Sequence, residues 1–310
     1  MRKQIRNLLI ATAIIAAGNT SAQQEVMVSQ YMFNGLFLNP AYAGSHPYAG
    51  VSLLHRAQWT GINGAPRTSM LAYDSPLLGN KMGLGFSMVH DAIGVSRDLQ
   101  FDAHYSYHLR MGETGHIAFG LKAGVSVYSA RLSELTYWDG DDQVFTNDIS
   151  NKLVGNFGFG AYWWNDLSYI GVSVPTLYAA DEAITADVHG AMDHYFSRHY
   201  YLYGGHVFHL NESFDLKPST MVRVEASAPL EADINLNVLY KEKLWLGVGY
   251  RTGDAVVAMI EYKVGPLLRV GYSYDLTTSA LNAYSNGSHE VMIGIDLGRD
   301  PIKIKTPRYF

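Results

Sequence analysis

No cysteine occurs among the 310 residues, which removes disulfide staples, thiolate metal sites and cysteine nucleophiles together. Charge is sparse as well: Asp, Glu, Lys and Arg make up 16% of the chain, the formal net charge is -5, and Lys and Arg nowhere cluster. Nucleic acid is therefore not an expected partner. No Pro/Ser-rich linker, charge block or low-complexity tract divides the chain, so one domain is expected. Beyond the N-terminus there is no unbroken run of the roughly eighteen apolar residues that a membrane helix needs. Phosphate loops of the GxxxxGK[ST] type, GxSxG elbows and HExxH pairs are also missing, which argues against the common hydrolase and nucleotide-binding chemistries.

What the chain has instead is alternation. From Leu99 to Arg110, the residues Phe101, Ala103, Tyr105, Tyr107 and Leu109 interleave with Gln100, Asp102, His104, Ser106, His108 and Arg110. This period of two is that of a β-strand with one apolar and one polar face. It recurs in about fourteen segments with hardly a helical stretch between them, the pattern of a membrane-spanning antiparallel β-barrel. The all-β reading also explains a composition that is 48% hydrophobic with a mean hydropathy of only -0.04. Apolar residues form an outer band, polar residues line the inside, and 22 tyrosines supply girdles at the two membrane interfaces.

The N-terminus carries Arg2, Lys3 and Arg6 ahead of an apolar run from Leu8 to Ala17, then Thr20, Ser21 and Ala22. Those are the three zones of a secretory signal. The expected division is a signal peptide over 1–22, an N-terminal arm over 23–47, a barrel over 48–298 and a periplasmic tail over 299–310. Export plus alternating strands predicts residence in the outer membrane.

Strands are predicted at Tyr48 to Gln58, Arg67 to Tyr73, Lys81 to His90, Asp98 to Arg110, His116 to Tyr128, Val154 to Trp163 and Leu167 to Val174. The second half adds His199 to His209, Phe214 to Ala226, Leu230 to Tyr240, Leu244 to Arg251, Ala255 to Lys263, Leu267 to Asp275 and Glu290 to Leu297. An even count returns both ends to the periplasm. If the first strand runs outward, brief connections such as Asn165 to Asp166 and Lys241 to Lys243 face the periplasm. The long ones near Ser129 to Leu153, Pro175 to Arg198 and Leu276 to His289 then face outside.

Inward faces read as polar or small: Gly83, Gly85 and Ser87 oppose Met82, Leu84, Phe86 and Met88, and Arg269, Gly271, Ser273 and Asp275 oppose Leu268, Val270, Tyr272 and Tyr274. Inward charges are mixed in sign, with Asp102, Arg110, Asp215, Lys217, Arg223, Glu225 and Arg269, unlike the lining of a strongly ion-selective porin. Inward glycines Gly158, Gly160, Gly247 and Gly249 predict close approach of another backbone. The arm, with Tyr31, Phe33, Phe37, Leu38 and Asn39-Pro40, is the natural occupant. It is expected to lie across or within the periplasmic mouth as a partial plug, since it is too apolar for a loose periplasmic tail.

Three stretches resemble the PorP/SprF family of type IX secretion membrane proteins: QYMFNGLFLNPAYAGS at Gln30 to Ser45, HRAQWTGINGAPRTS at His55 to Ser69, and GYSYDLTTSALNAYSNGSHE at Gly271 to Glu290. GVGYRTGDA at Gly247 to Ala255 agrees with them. The resemblance implies a non-enzymatic outer-membrane barrel that supports export or surface attachment of adhesins, gliding components and proteases bearing C-terminal sorting domains. Its implied partners are other type IX components, a secreted sorting-domain protein and the lipid bilayer, with no cofactor. Candidate plug or partner-binding residues fall within these stretches: Asn39, Pro40, Tyr42, Trp59, Arg67, Tyr272, Tyr274, Asp275, Ser288, His289 and Glu290. A fourteen-stranded barrel with an Asn-Pro-Ala element at Asn39 to Ala41 is also similar to long-chain fatty-acid channels, which keeps a pore for hydrophobic small molecules as the alternative.

Chemistry is weakly signalled. His104 with His108, and His194 with His199, are spaced four apart, about 13 Å along a strand, too far for one ion without partners from neighbouring strands. Asp139, Asp141, Asp142 and Asp148 share a loop but lack the spacing and closing Glu of an EF-hand. Ser288, His289 and Glu290 are consecutive, and consecutive strand residues face opposite ways, which argues against a triad. His55, Arg56, Gln58 and Trp59, with the Gly61 to Pro66 loop, are expected at the outer rim as a partner contact, with Trp59 as a membrane-interface anchor the other reading. Thr306 to Phe310 end in an aromatic, as barrel assembly signals do, yet lie beyond the last predicted strand.

Overall fold

The computed structural model describes residues 26–134, 148–180, 198–225, 229–298 and 309–310. The predicted signal peptide, Asp139, Asp141, Asp142 and His194 lie outside the described residues. Fifteen strand segments run antiparallel in chain order: β1 Ala49–Ala57, β2 Arg67–Leu77, β3 Met82–Ile93, β4 Ser96–Met111, β5 Gly115–Ala130, β6 Ile149–Trp164, β7 Ser168–Ala180, β8 His199–His206, β9 Phe208–Asn211, β10 Phe214–Glu225, β11 Glu231–Tyr240, β12 Leu244–Arg251, β13 Ala255–Lys263, β14 Leu268–Thr277 and β15 Ser288–Leu297. Each pairs with its neighbour, except that β8 and β9 both pair with β10, and β15 pairs with β1, so the sheet closes on itself.

β8 and β9 together occupy one position in the wall. Both pair with β10 in a single register, Ser219 opposite Gly205 and Leu216 opposite Phe208. The break falls where Lys217 and Pro218 stand opposite Val207 and His206, because proline has no N–H to give the ladder. Val207 N–H continues the pairing with β7, donating to Leu167 O at 2.8 Å. The wall is thus fourteen strands, as the alternation predicts, and β2, β3, β4, β6 and β7 run several residues past their predicted ends.

Faces follow the period of two throughout. On β14, Leu268, Val270 and Tyr272 are exposed while Arg269, Gly271, Ser273 and Asp275 are buried. Burial is inverted relative to a soluble protein: Arg56, Arg251, Lys217 and Glu290 are almost fully enclosed, whereas Leu121, Leu153 and Ile234 are about 60% exposed or more. Such a molecule is soluble only where hydrocarbon covers its outside. Tyr200, Tyr250 and Tyr272 belong to one outward belt and Tyr73, Tyr105, Tyr240 and Tyr262 to the other, matching the two interfaces where amphipathic rings reside.

Connections on one side are brief, such as 112–114, 165–167 and 241–243, while those on the other include 131–148, 181–198 and 278–287. The long side is the cell exterior. Arg110, expected to line the lumen, is exposed at a short turn and donates to Glu113 O at 2.7 Å. Its strand ends there, so its side chain reaches the nearest free carbonyl.

Leu53 sits at the middle of β1, outward, between Leu71 and Ile293. Leu53→Arg is expected to cost about 2–4 kcal/mol, read as a lower midpoint of urea unfolding in lipid vesicles. An unchanged midpoint would contradict the assignment of this face to lipid.

Candidate functional site

The lumen is the most elaborate part of the molecule, and the N-terminal arm runs through it from the exterior end to the periplasmic end. Residue 26 stands at the exterior end, and the chain descends through three single-turn helices, Tyr31–Phe33, Gly35–Leu38 and Pro40–Tyr42, to enter β1 at the periplasmic end. Asn39 and Pro40 organise the lower half. Proline suits the first helical position, where no N–H is needed, and the Asn39 side chain caps the turn by accepting from Ala41 N–H at 2.9 Å. The same amide donates to Ala161 O and Val172 O at 2.9 and 3.3 Å, anchoring the turn to β6 and β7. Ser106 Oγ and His108 Nε2 both reach Ala43 O, at 2.6 and 3.0 Å, and Asp74 accepts from Gly44 N–H at 2.9 Å. Tyr42 packs on Tyr162 at 5.6 Å between ring centroids.

Close approach explains several inward glycines. A Cβ at Gly83 would collide with the Ala43 carbonyl, at Gly120 with the Pro40-Ala41 peptide, and at Gly160 with the Asn39 side chain. Gly158, Gly247 and Gly249 have other reasons: their space is taken by Pro175 backbone, Asn237 and Asn235 of adjacent strands. At Gly158 the cause is a bulge, where β7 gains residues against β6 between Phe157 and Phe159.

The exterior end of the arm is held by charge. Ser29 and Gln30 N–H each donate to the Glu290 carboxylate at 2.9 Å, and Ser29 Oγ donates to Asp275 at 2.7 Å. Arg56 bridges Asp275 at 2.7 Å and Glu290 at 3.2 Å. Arg251 reaches Asp233 at 2.9 Å, Asp254 at 3.3 Å and Asp275 at 3.4 Å. Charges this deep carry a desolvation cost that their partners must offset, and removing one partner strands the other. Other inward pairs join Lys122 with Asp102 at 3.3 Å, Arg269 with Glu261 at 3.3 Å and Arg223 with Glu231, and His199 Nε2 lies 3.1 Å from Glu225, whereas Asp91 and Asp98 face each other with only the Thr68 and Ser126 hydroxyls as side-chain partners among the described residues.

At the periplasmic end Tyr309 and Phe310 pack within the wall. Lys217 Nζ donates to Tyr309 O, and His46 Nε2 donates to Phe310 O at 2.6 Å. The ammonium stands 4.9 Å from the Phe33 ring centroid, 5.4 Å from Trp245 and 5.6 Å from Tyr169, and Phe310 lies against Tyr169 at 4.8 Å. This cage offsets the desolvation of a lysine with no exposed surface. Burial, and then the Asp215 carboxylate, push the Tyr309 hydroxyl up from its ordinary range, which keeps it a donor toward Asp215 at 3.4 Å. The terminal aromatic therefore packs inside the lumen and does not end a strand.

At the exterior rim, two of the family-like stretches are knitted together. Thr60 N–H donates to Gly287 O at 2.8 Å, Asn286 N–H donates to Thr60 O at 2.6 Å, and Trp59 N–H donates to Ser288 Oγ at 3.0 Å. Gly61 and Gly287 take positive φ of 98° and 84°, and a Cβ at Gly61 would sit 2.9 Å from Asn286 Nδ2. Tyr284 projects from this rim, 76% exposed.

A model of the type IX secretion system membrane protein PorP/SprF matches residues 20–295. The chain belongs to the PorP/SprF family. It is accordingly an outer-membrane component of type IX secretion. No curated protein matches it by sequence. Among solved structures, Acinetobacter baumannii Omp33 is 10% identical with a TM-score of 0.46, covering 82% of this chain and 100% of its own. A Pseudomonas aeruginosa FadL homologue is 10% identical at 0.46, covering 83% and 92%, and Escherichia coli outer membrane phospholipase A is 11% identical at 0.40, covering 88% and 99%. These likenesses are of architecture alone.

In this PorP/SprF protein the candidate residues divide between two surroundings. Asn39, Pro40, Tyr42, Asp275, Ser288 and Glu290 are buried in the filled lumen or its lip. Tyr272, Tyr274 and His289 face outward, with Tyr272 OH 2.7 Å from His289 Nδ1, and Arg67 is exposed. Trp59 is half-buried with φ of 47°, and Arg56 and Gln58, expected at the rim, are enclosed. His104 and His108 bond Ser87 and Ala43 respectively. Sequence reasoning missed Ser29, Gln30, Asp233 and Arg251 as members of one cluster; for Asp233 and Arg251 the signal was inward parity, which places a residue in the lumen without saying which strand supplies its partner, and Ser29 and Gln30, on the arm, carry no such signal.

Two outcomes test the filled lumen. Gly83→Leu and Gly85→Leu are expected to abolish the heat-modifiable folded band, whereas Gly155→Ala, with open space at its Cβ, is expected to leave yield and migration unchanged. Because the chain has no native cysteine, Val28→Cys on the buried arm reports plug seating. A membrane-impermeant maleimide added outside cells should label it slowly in an otherwise native chain and at least about tenfold faster when Arg56→Ala leaves Asp275 and Glu290 short of a cation, a change worth roughly 3–5 kcal/mol. Equal labelling would show that the ion cluster does not hold the arm.

Proposed function

We propose that this protein is a closed, non-enzymatic docking barrel whose exterior rim engages type IX components and a secreted protein with a C-terminal sorting domain, supporting its export or surface attachment. The observation that carries this reading is the lumen occupied from Glu290 at the exterior end to Phe310 at the periplasmic end. A barrel stoppered in this way offers its rim rather than a passage. The joined loops 58–66 and 278–287, with Trp59 and the projecting Tyr284, are the contact this reading favours, since aromatic residues on a held loop suit protein recognition.

Two further observations agree. His289 points to the outside while Ser288 and Glu290 point to the lumen, which speaks against a hydrolytic triad. The arm and tail obstruct the route that a channel for hydrophobic small molecules would need.

Deleting the gene is expected to abolish surface display of a sorting-domain reporter without altering small-solute permeability, and the purified barrel is expected to pass no sustained current in planar bilayers. Robust conductance, or uptake of a hydrophobic substrate that depends on the protein, would favour transport and overturn the reading. Tyr284→Ala should reduce recovery of secretion components by affinity capture while heat-modifiable migration stays normal.

A further inference from the structure

The outward face is apolar almost everywhere, with one exception. On β10 through β13 the outward residues, including Phe214, Val224, Ile234, Leu236, Val248, Tyr250, Val256 and Ile260, carry no charge. On the exterior ends of β15, β1, β2, β3 and β4 the pattern changes. One row across these strands reads His289, Ala57, Arg67, Ala92, Arg97, each opposite the next. The row one step deeper reads Val291, His55, Ser69, His90, Leu99. Two arginines and three histidines thus share one outward patch, and no outward-facing residue of these five strands is acidic.

Register fixes the spacing. Arg67 and Arg97 stand two strands apart, roughly 10 Å between Cα atoms, close enough for both guanidiniums to converge on one anionic headgroup. Neither side chain has a hydrogen bond or ion pair among the described residues, and both are exposed. His55 and His289 are oriented by neighbours on the same face, His55 Nδ1 by Ser69 Oγ at 2.9 Å and His289 Nδ1 by Tyr272 OH at 2.7 Å. Directly below lie Leu53, Leu71, Met88 and Phe101, paired in one apolar row.

A cation on a lipid-facing wall costs free energy unless it lies at the headgroup level with an anion to meet. Here the cations occupy that level on one arc of the wall, above a surface suited to acyl chains. We propose that the arc from β15 to β4 binds the phosphorylated headgroup of an outer-leaflet glycolipid of the lipid A class. Arg67 and Arg97 pair with its phosphates, His55, His90 and His289 supply further hydrogen bonds, and the acyl chains lie on Leu53, Leu71, Met88 and Phe101. This binding is independent of the rim's proposed role in secretion and would orient the barrel in its leaflet.

Native mass spectrometry of the full-length barrel in detergent tests this with bisphosphorylated lipid A as the probe, offered in competition with phosphatidylethanolamine. The native chain is expected to retain lipid A in preference to the competitor and to bind dephosphorylated lipid A far less. Arg67→Ala with Arg97→Ala should lower retention roughly tenfold or more, since two charge-assisted hydrogen-bonding partners are lost. Arg67→Lys with Arg97→Lys should restore most of it. Lys241→Ala with Lys243→Ala at the periplasmic turn should change nothing, and heat-modifiable migration reports that every variant is folded. Equal binding of dephosphorylated lipid A, or undiminished retention by the folded double alanine variant, would overturn the proposal. So would loss of a co-purifying protein with lipid retention intact, because the patch would then be a protein interface.

Discussion

Hydrocarbon offers no partner to an N–H or a C=O, and this constraint organises the whole molecule. It demands a ring of strands without edges, and the ring in turn forces every second side chain into an enclosed interior. Charges that cannot face lipid are thereby gathered where water is also scarce. Each then needs a counter-charge or a backbone group close at hand. The arm is part of that solution: the Ser29 and Gln30 amides satisfy Glu290, and Ser29 Oγ satisfies Asp275 while accepting from Arg56 at 3.0 Å. Plug and wall are therefore one hydrogen-bonded structure.

The strands and their faces were legible because a period of two is a local property. Met82, Leu84 and Phe86 on one side and Gly83, Gly85 and Ser87 on the other are distinguishable from six residues alone. Strand ends were less legible, since β4 and β6 continue into residues such as Ser96 and Ile149 that carry no alternation signal of their own. The division at Val207 could be traced to Pro218, but only once their opposition across the ladder was known.

The lumen was half legible. An apolar arm and small inward residues pointed to a filled interior, and Asn39, Pro40 and Tyr42 sit within it. The depth of the arm was not legible: nothing in Ser29 or Gln30 indicates that they meet residues more than 240 positions away. The glycines were ambiguous for a similar reason, because Gly160 yields to the arm while Gly158 yields to a bulge in the adjacent strand, and both are simply inward glycines in the sequence. Thr306 to Phe310 end in an aromatic as assembly signals do but lie beyond the last strand; what holds Tyr309 and Phe310 inside is Lys217, whose ammonium needs a carbonyl and a ring of aromatics.

The ion cluster has a consequence for how the ring comes to be sealed. Arg56 belongs to β1, and Glu290 and Asp275 belong to β15 and β14, so the cluster straddles the seam where the first and last strands meet. The arm hydrogen-bonds to both sides of that seam from within. The arm is thus a rivet set from inside across the join of the sheet, and parting β1 from β15 would pull apart the residues that hold it.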